Sequence, residues 1–379
     1  MKISTVMKDG ELLQAIKKID GVDVVQNYIN LEDMMQENSE VLIISDQLIN
    51  INQIDKDEIR DKKIIYLISN KPDPKQILQI ETLCASRGVI TVPPKHSIDQ
   101  IVEKVEESIF PERKDLKKSK VISFFGTHSG VGVTSTVLSI AYSLSKRSNS
   151  KVGVLSLNLW NPGDTIIRND QAKYIEDLSS ALNNKLLTVE QLIGSMVQKE
   201  NFLFLAGNRE LKLITTYNVD QFSFLIELAR TYFDIVLIDA GCHFDNAGTA
   251  QSLLKADLKI LLTSQERRGY ERQWELNYNQ ILSPLQFTRS DFTLIVNKYE
   301  PQGIKAKHIG EQMGVNYLNN IPNIGYDGVL AEEEYKLLTE MENKEYHTRI
   351  DEIADTLIDS FKLQYRDGKK KKKSLFWRW

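Results

Sequence analysis

Short apolar runs recur along this chain, and between them apolar positions return every three or four residues. In the first 110 residues the runs fall at 2–7, 22–26, 41–44, 64–68 and 89–92. The stretches between them, such as GELLQAIKKI and DPKQILQIETLCASRG, have the spacing of amphipathic helices. Strands alternating with helices in this way predict a parallel sheet covered on both faces. A second series begins at VISFFG, residues 121–126, and its helix carries Val137, Ile140, Ala141 and Leu144 on one face. The further runs KVGVLSL, FLFLAG, DIVLIDAG, LKILLTS and FTLIVNK are almost wholly apolar. Such strands belong to a parallel sheet buried on both sides. Ile350, Ile353, Leu357, Ile358 and Phe361 mark a last amphipathic helix between residues 345 and 366.

This pattern predicts an α/β chain of four segments. Residues 1–110 form one domain, the polar stretch PERKDLKKSK at 111–120 a linker, residues 121–366 a larger domain, and residues 367–379 a tail. No internal repeat of 20 to 50 residues is present. The chain has 41% hydrophobic and 26% charged residues, which excludes a disordered protein. Its net charge of −4 gives no reason to expect a nucleic-acid partner. That charge is unevenly spread: KKKKKSLFWRW, residues 369–379, carries six positive side chains and no acidic one, which leaves −10 on the rest. The two cysteines, Cys84 and Cys242, form no zinc or redox motif and suit a reducing, cytoplasmic setting. The start lacks the apolar stretch of a secretory signal, and no run of 18 apolar residues occurs. Any membrane contact is therefore expected to be peripheral.

The segment FFGTHSGVGVTSTVLSIAYSL passes from a strand through small residues into a helix. That order aims backbone N–H groups and a helix N-terminus at an anion. Gly126, Gly130 and Gly132 would let phosphates approach the backbone, and Thr134 or Ser135 could offer a hydroxyl to Mg²⁺. The alternative is an ordinary strand–helix turn. Further on, YFDIVLIDAG sets Asp239 at the end of an apolar strand, the place of a carboxylate that holds Mg²⁺. Taken alone, such an Asp is more often a cap or turn residue.

In that order the residues resemble the MinD/ParA family of deviant-Walker P-loop ATPases. Its loop, K-G-G-x-G-K-[ST], maps onto His128, Ser129, Gly130, Val131, Gly132, Val133 and Thr134, with Thr127 just before and Ser135 just after. Asp239 matches the Walker B carboxylate, Asn297 the adenine-reading asparagine and Pro322 the proline of the nucleotide pocket. The resemblance implies a nucleotide site for ATP built from these residues, with Thr134 and Asp239 holding Mg²⁺. It also implies a homodimer. Several positions depart from the pattern. His128 and Val133 stand where the family has its two lysines, and Ser156 and Asn158 where it has the aspartates of a D-x-D motif. Phosphoryl transfer depends on neutralising phosphate charge, so little or no hydrolysis is expected. His128 reads as a mainly neutral loop histidine. Arg267 and Arg268 offer phosphate charge from another loop or, more simply, a solvated helix start.

The front domain resembles a response-regulator receiver. Its acidic pair is missing after the first strand, where Met7, Lys8 and Asp9 stand. Asp46 lies one position beyond the phosphorylated aspartate, and Lys95 is a weak match to the receiver lysine. A pseudo-receiver that takes no phosphate is expected. This layout resembles the CpaE/TadZ branch, which implies a localisation or assembly factor for a Flp/Tad pilus or secretion complex. Two rival readings are an active ParA- or MinD-type ATPase in DNA partitioning or division-site placement, and a nucleotide-free scaffold. The lysines and tryptophans of residues 369–379 suit an anionic membrane surface, or else a protein partner.

Overall fold

The computed structural model describes residues 1–37, 39–54, 62–69, 72–94, 98–110, 119–168 and 173–366. Lys95, most of the linker and the whole basic aromatic tail lie outside them. The chain divides into two compact units, Met1–Lys117 and Lys118–Trp379.

The first unit is a five-stranded parallel sheet of β1 (Lys2–Val6), β2 (Val24–Asn27), β3 (Val41–Ser45), β4 (Lys63–Leu67) and β5 (Ile90–Val92) in the order β2-β1-β3-β4-β5. That is one of the common doubly wound orders. Alternate residues of each strand point to opposite faces, so the unit has two apolar clusters. Ile44 and Tyr66 lie in one, Ile43 and Ile65 in the other. The helix Gly10–Ile16 starts at Asp9, whose carboxylate accepts from Leu12 N at 3.0 Å. Asp9 is thus engaged as a helix cap. Asp46 follows β3, where its Oδ2 accepts a 3.0 Å bond from Ser69 Oγ.

The second unit is an eight-stranded sheet of order β13-β12-β11-β6-β10-β7-β9-β8. Its strands are β6 (Lys120–Gly126), β7 (Val152–Ser156), β8 (Val197–Lys199), β9 (Phe202–Leu205), β10 (Ile235–Asp239), β11 (Leu258–Thr263), β12 (Phe292–Tyr299) and β13 (Asn316–Pro322). All neighbours are parallel except β8 and β9. The near-continuous apolar runs are explained by burial on both sides. Val121, Phe125, Val236 and Ile238 enter one cluster, while Ile122, Phe124, Ile235 and Leu237 enter the other.

Helix Val133–Arg147 packs on the second face beside the last helix, Lys344–Ser360. Val137, Ile140, Ala141 and Leu144 are wholly buried there, with Ile350, Ile353 and Ile358. The sequence does not reveal β8 or β13. One is a three-residue edge strand, VQK, and the other, NYLNNIP, is an edge strand rich in amides. Lys120, which falls in the expected linker, is the first residue of β6. The topology draws the carboxyl ends of β6, β7, β10, β11 and β12 together, and ligands of such sheets bind along that edge.

Candidate functional site

Strand β6 runs up between β10 and β11 and stays bonded to both at its end. Gly126 N donates to Gly241 O at 2.7 Å and Thr127 N to Leu262 O at 2.9 Å. The pairing then stops. From His128 to Ser135, no backbone N–H finds an acceptor among the described residues, and pairing resumes with Thr136 N to Gly132 O at 3.1 Å. Gly130 and Gly132 have φ of 77° and 90°, a region costly for residues with a Cβ. Gly132 is also the N-cap of helix Val133–Arg147, so it supplies no capping side chain to the first turn. Amides without acceptors followed by a helix N-terminus are an arrangement that attracts an anion without any charged side chain.

A cleft of about 670 Å³ opens over this loop. It is lined by His128 through Ser135, by Asn158 and Trp160 after β7, by Gly241, Cys242 and His243 after β10, and by Asn297, Lys298 and Pro322 at the sheet edge. Of the residues expected from sequence, Thr127 stands just beneath, buried, with its hydroxyl 2.9 Å from that of Thr263. Ser135 and Pro322 contribute wall. Ser129 Oγ lies 3.4 Å from Cys242 Sγ.

Thr134 Oγ1 donates a 2.6 Å hydrogen bond to Asp239 Oδ2, while Asp239 Oδ1 accepts from Gly241 N at 3.0 Å. Burial pushes the Asp239 carboxyl up to about 6, against the two hydrogen bonds, which favour the ionised form. The first turn of the loop's helix and the end of β10 thereby present one hydroxyl and one carboxylate side by side. Hard cations such as Mg²⁺ take oxygen ligands of this kind, and keep several waters besides. No cluster of three His, Cys, Asp or Glu side chains able to hold a metal occurs among the described residues.

The two lysine positions are filled differently. Val133 is buried and turned under the loop, its Cγ2 2.8 Å from the point where a Cβ on Gly126 would stand. His128 folds back on its own unit: Nδ1 is 2.9 Å from Thr127 Oγ1, Nε2 3.3 Å from Ser264 Oγ and 3.8 Å from Glu266. Desolvation lowers its pKa, outweighing the nearby Glu266 carboxylate, so the ring is neutral near pH 7. Arg267 and Arg268 pair with Glu271 and Glu266 and do not line the cleft. Ser156 Oγ is buried with no hydrogen-bond partner among the described residues, and Asn158 Oδ1 accepts from Trp160 N at 3.3 Å.

Asn297 has a partner that its sequence position does not foretell. Its Nδ2 donates to Val131 O at 2.7 Å, which ties β12 to the loop and leaves Oδ1 and the second Nδ2 hydrogen for other partners. Lys298, which no motif singles out, donates from Nζ to Gly130 O at 2.8 Å. Trp160, partly exposed, packs its ring 5.1 Å from that of His243 at the cleft. An aromatic beside a small-residue turn was the signal available for it in the sequence.

No protein-family model matches the chain. A septum site-determining protein MinD of Emiliania huxleyi is 22% identical over 208 residues, which is 55% of this chain and 73% of that protein. The crystal structure of a ParA family ATPase from Chlorobium tepidum TLS superposes with a TM-score of 0.56 at 17% identity, covering 64% of this chain and 99% of that one. MinD from Pyrococcus horikoshii OT3, solved in complex with Mg-ADP, gives 0.52 at 16% identity, over 64% of this chain and 98% of that one. No helix among the described residues is long and apolar enough to cross a membrane. With a glycine-containing strand-to-helix loop at the end of its central strand, the second unit carries the fold of the MinD/ParA-type P-loop ATPases.

Proposed function

We propose that the second unit binds ATP with Mg²⁺ and turns it over slowly or not at all, and that nucleotide governs its assembly as a homodimer. One observation carries the reading: the residues from His128 to Ser135, whose N–H groups have no acceptor among the described residues, line a cleft, and one of them, Thr134, is bonded to the buried Asp239 carboxylate. An anion can be held by main-chain donors alone, so the missing lysines do not abolish binding. Their loss removes the charges that would stabilise a transferring phosphoryl group, which argues against the rival reading of an active partitioning or division ATPase. Thr134 and Asp239 would hold the cation, the 128–135 amides the phosphates, and Pro322 with Asn297 Oδ1 the base side. The Mg-ADP complex of the Pyrococcus MinD supports that choice of ligand.

The first unit is a pseudo-receiver on this reading, a docking module whose Asp9 is engaged as a helix cap. The whole chain then serves as a CpaE/TadZ-like localisation or assembly factor for a pilus or secretion complex, held at an anionic membrane surface through residues 369–379. Mass spectrometry of nucleotide released from protein purified without added ligand tests the core of this reading. Co-purifying ATP or ADP supports it. If none is released and titration with Mg-ATP gives no binding, the second unit is a nucleotide-free scaffold.

A further inference from the structure

The loop has lost both of its lysines, yet a lysine still reaches it from another strand. Side chains on a strand alternate between faces, so neighbours such as Asn297 and Lys298 should point in opposite directions. Here they do not. The pairing of β12 with β13 shifts register between Val296 and Tyr299, and Lys298 has a φ of 52°. Register shifts re-aim side chains, and a positive φ is uncommon for a residue with a Cβ. The combination brings two consecutive side chains onto the same loop. Asn297 Nδ2 holds Val131 O at 2.7 Å, and Lys298 Nζ holds Gly130 O at 2.8 Å.

Two physical consequences follow from those bonds. Across a trans peptide, C=O and the following N–H point in opposite directions. Drawing the carbonyls of Gly130 and Val131 toward β12 therefore turns the N–H groups of Val131 and Gly132 away from it, and these are among the amides without an acceptor. Lys298 also brings a full positive charge to the cleft wall. The other lining groups able to carry positive charge are His128 and His243, and desolvation disfavours the charged form of His128.

We infer that Lys298 takes over the electrostatic task of the lost loop lysines, attracting the phosphates of the bound ligand from β12, with Asn297 as the positioning residue that fixes the loop beside it. This rests on the nucleotide reading and assigns the cation within it. The strained backbone at Lys298 is the cost of placing that charge, a pattern common where geometry serves binding. One ammonium donor is engaged on Gly130 and two remain, so the group can meet phosphate without leaving the loop.

The test is equilibrium titration of the full chain with fluorescent N-methylanthraniloyl-ATP plus Mg²⁺, and separately with tripolyphosphate, across a range of KCl. Lys298→Gln and Lys298→Asn remove the charge; asparagine tolerates the positive φ, so it guards against a folding defect. Both are expected to weaken either ligand at least tenfold at low salt and to flatten the salt dependence, with unchanged thermal melting. Lys298→Arg is expected to stay within about threefold of wild type, because charge is conserved. Wild-type-like affinity and salt dependence in Lys298→Gln overturns the assignment and leaves the nucleotide reading standing. Failure of the wild-type chain to bind either probe overturns both.

Discussion

Thr134 and Asp239, far apart in the sequence, are joined by a 2.6 Å hydrogen bond between hydroxyl and carboxylate. The bond fixes the first turn of the loop's helix to the end of β10, and it makes the carboxylate part of the loop. Thr134→Val removes one of two donors to a buried carboxylate and is expected to cost about 1–3 kcal/mol in chemical denaturation. Thr134→Ser keeps the hydroxyl and should lose far less. Asp239→Asn is expected to bind nucleotide equally with and without Mg²⁺, whereas the wild-type chain gains at least tenfold from the cation. Equal gains in both would remove Asp239 from the metal site.

Two neighbouring glycines separate backbone strain from steric conflict. A Cβ on Gly130 would meet nothing within 4 Å, whereas one on Gly132 would stand 2.5 Å from Asn297 Nδ2. Gly130→Ala therefore pays only for its positive φ, about 1–2 kcal/mol. Gly132→Ala must also expel the asparagine that holds Val131 O. The expected outcome is a larger stability loss and at least tenfold weaker nucleotide binding for Gly132→Ala alone, measured by denaturation and titration side by side.

Val133→Lys restores the family's lysine at a buried position. Its stem must leave the packing against Gly126 and Val131, so stability is expected to fall by about 1–3 kcal/mol. The new charge should tighten Mg-ATP at least tenfold, provided the amide cradle is as described. Unchanged affinity in a folded variant would mean that the cradle does not hold phosphate.

His128 gives the site a pH dependence whose sign is fixed by burial. Its folded-state pKa lies below 6.5, so the unfolded chain takes up the proton first as pH falls. The contribution to stability is complete above 6.5 and is lost as pH drops from there toward the folded pKa. The ring resonances of His128 followed by NMR should titrate below 6.5, and His128→Gln should flatten the stability profile below that pH. A titration above 6.5 would indicate that Glu266 outweighs desolvation.

The tail at 369–379 is expected to bind vesicles containing anionic lipid reversibly, through its lysines, Trp377 and Trp379. Each lysine at such a surface contributes about 1 kcal/mol at most, and salt screens it over roughly 8 Å. Binding should therefore fall with added salt and with truncation after residue 368. Equal sedimentation of full and truncated chains would make the tail a protein-docking peptide.

The apolar periodicity alone determined most of the strands of both sheets, because burial on one or two faces demands apolar residues at fixed spacing. It could not reveal β8 and β13, edge strands whose exposure removes that demand. Thr134, Asp239 and the two loop glycines were legible only through their order along the chain, a glycine loop between a strand and a helix followed by a carboxylate at the end of a later apolar strand. Which way Val133, His128 and Asn297 face was not legible. A motif assigns a position along the chain, whereas the direction of a side chain is set by what surrounds it. Val133 turns inward because an apolar cluster lies beneath the loop. His128 folds back because Ser264 and Thr127 offer it partners, and Asn297 turns onto the loop because Val131 O is within reach. Lys298 is the extreme case. Only the register shift in β12 and its positive φ bring its charge to the glycine loop, and a register shift arises from the pairing of two strands, which neither strand encodes by itself.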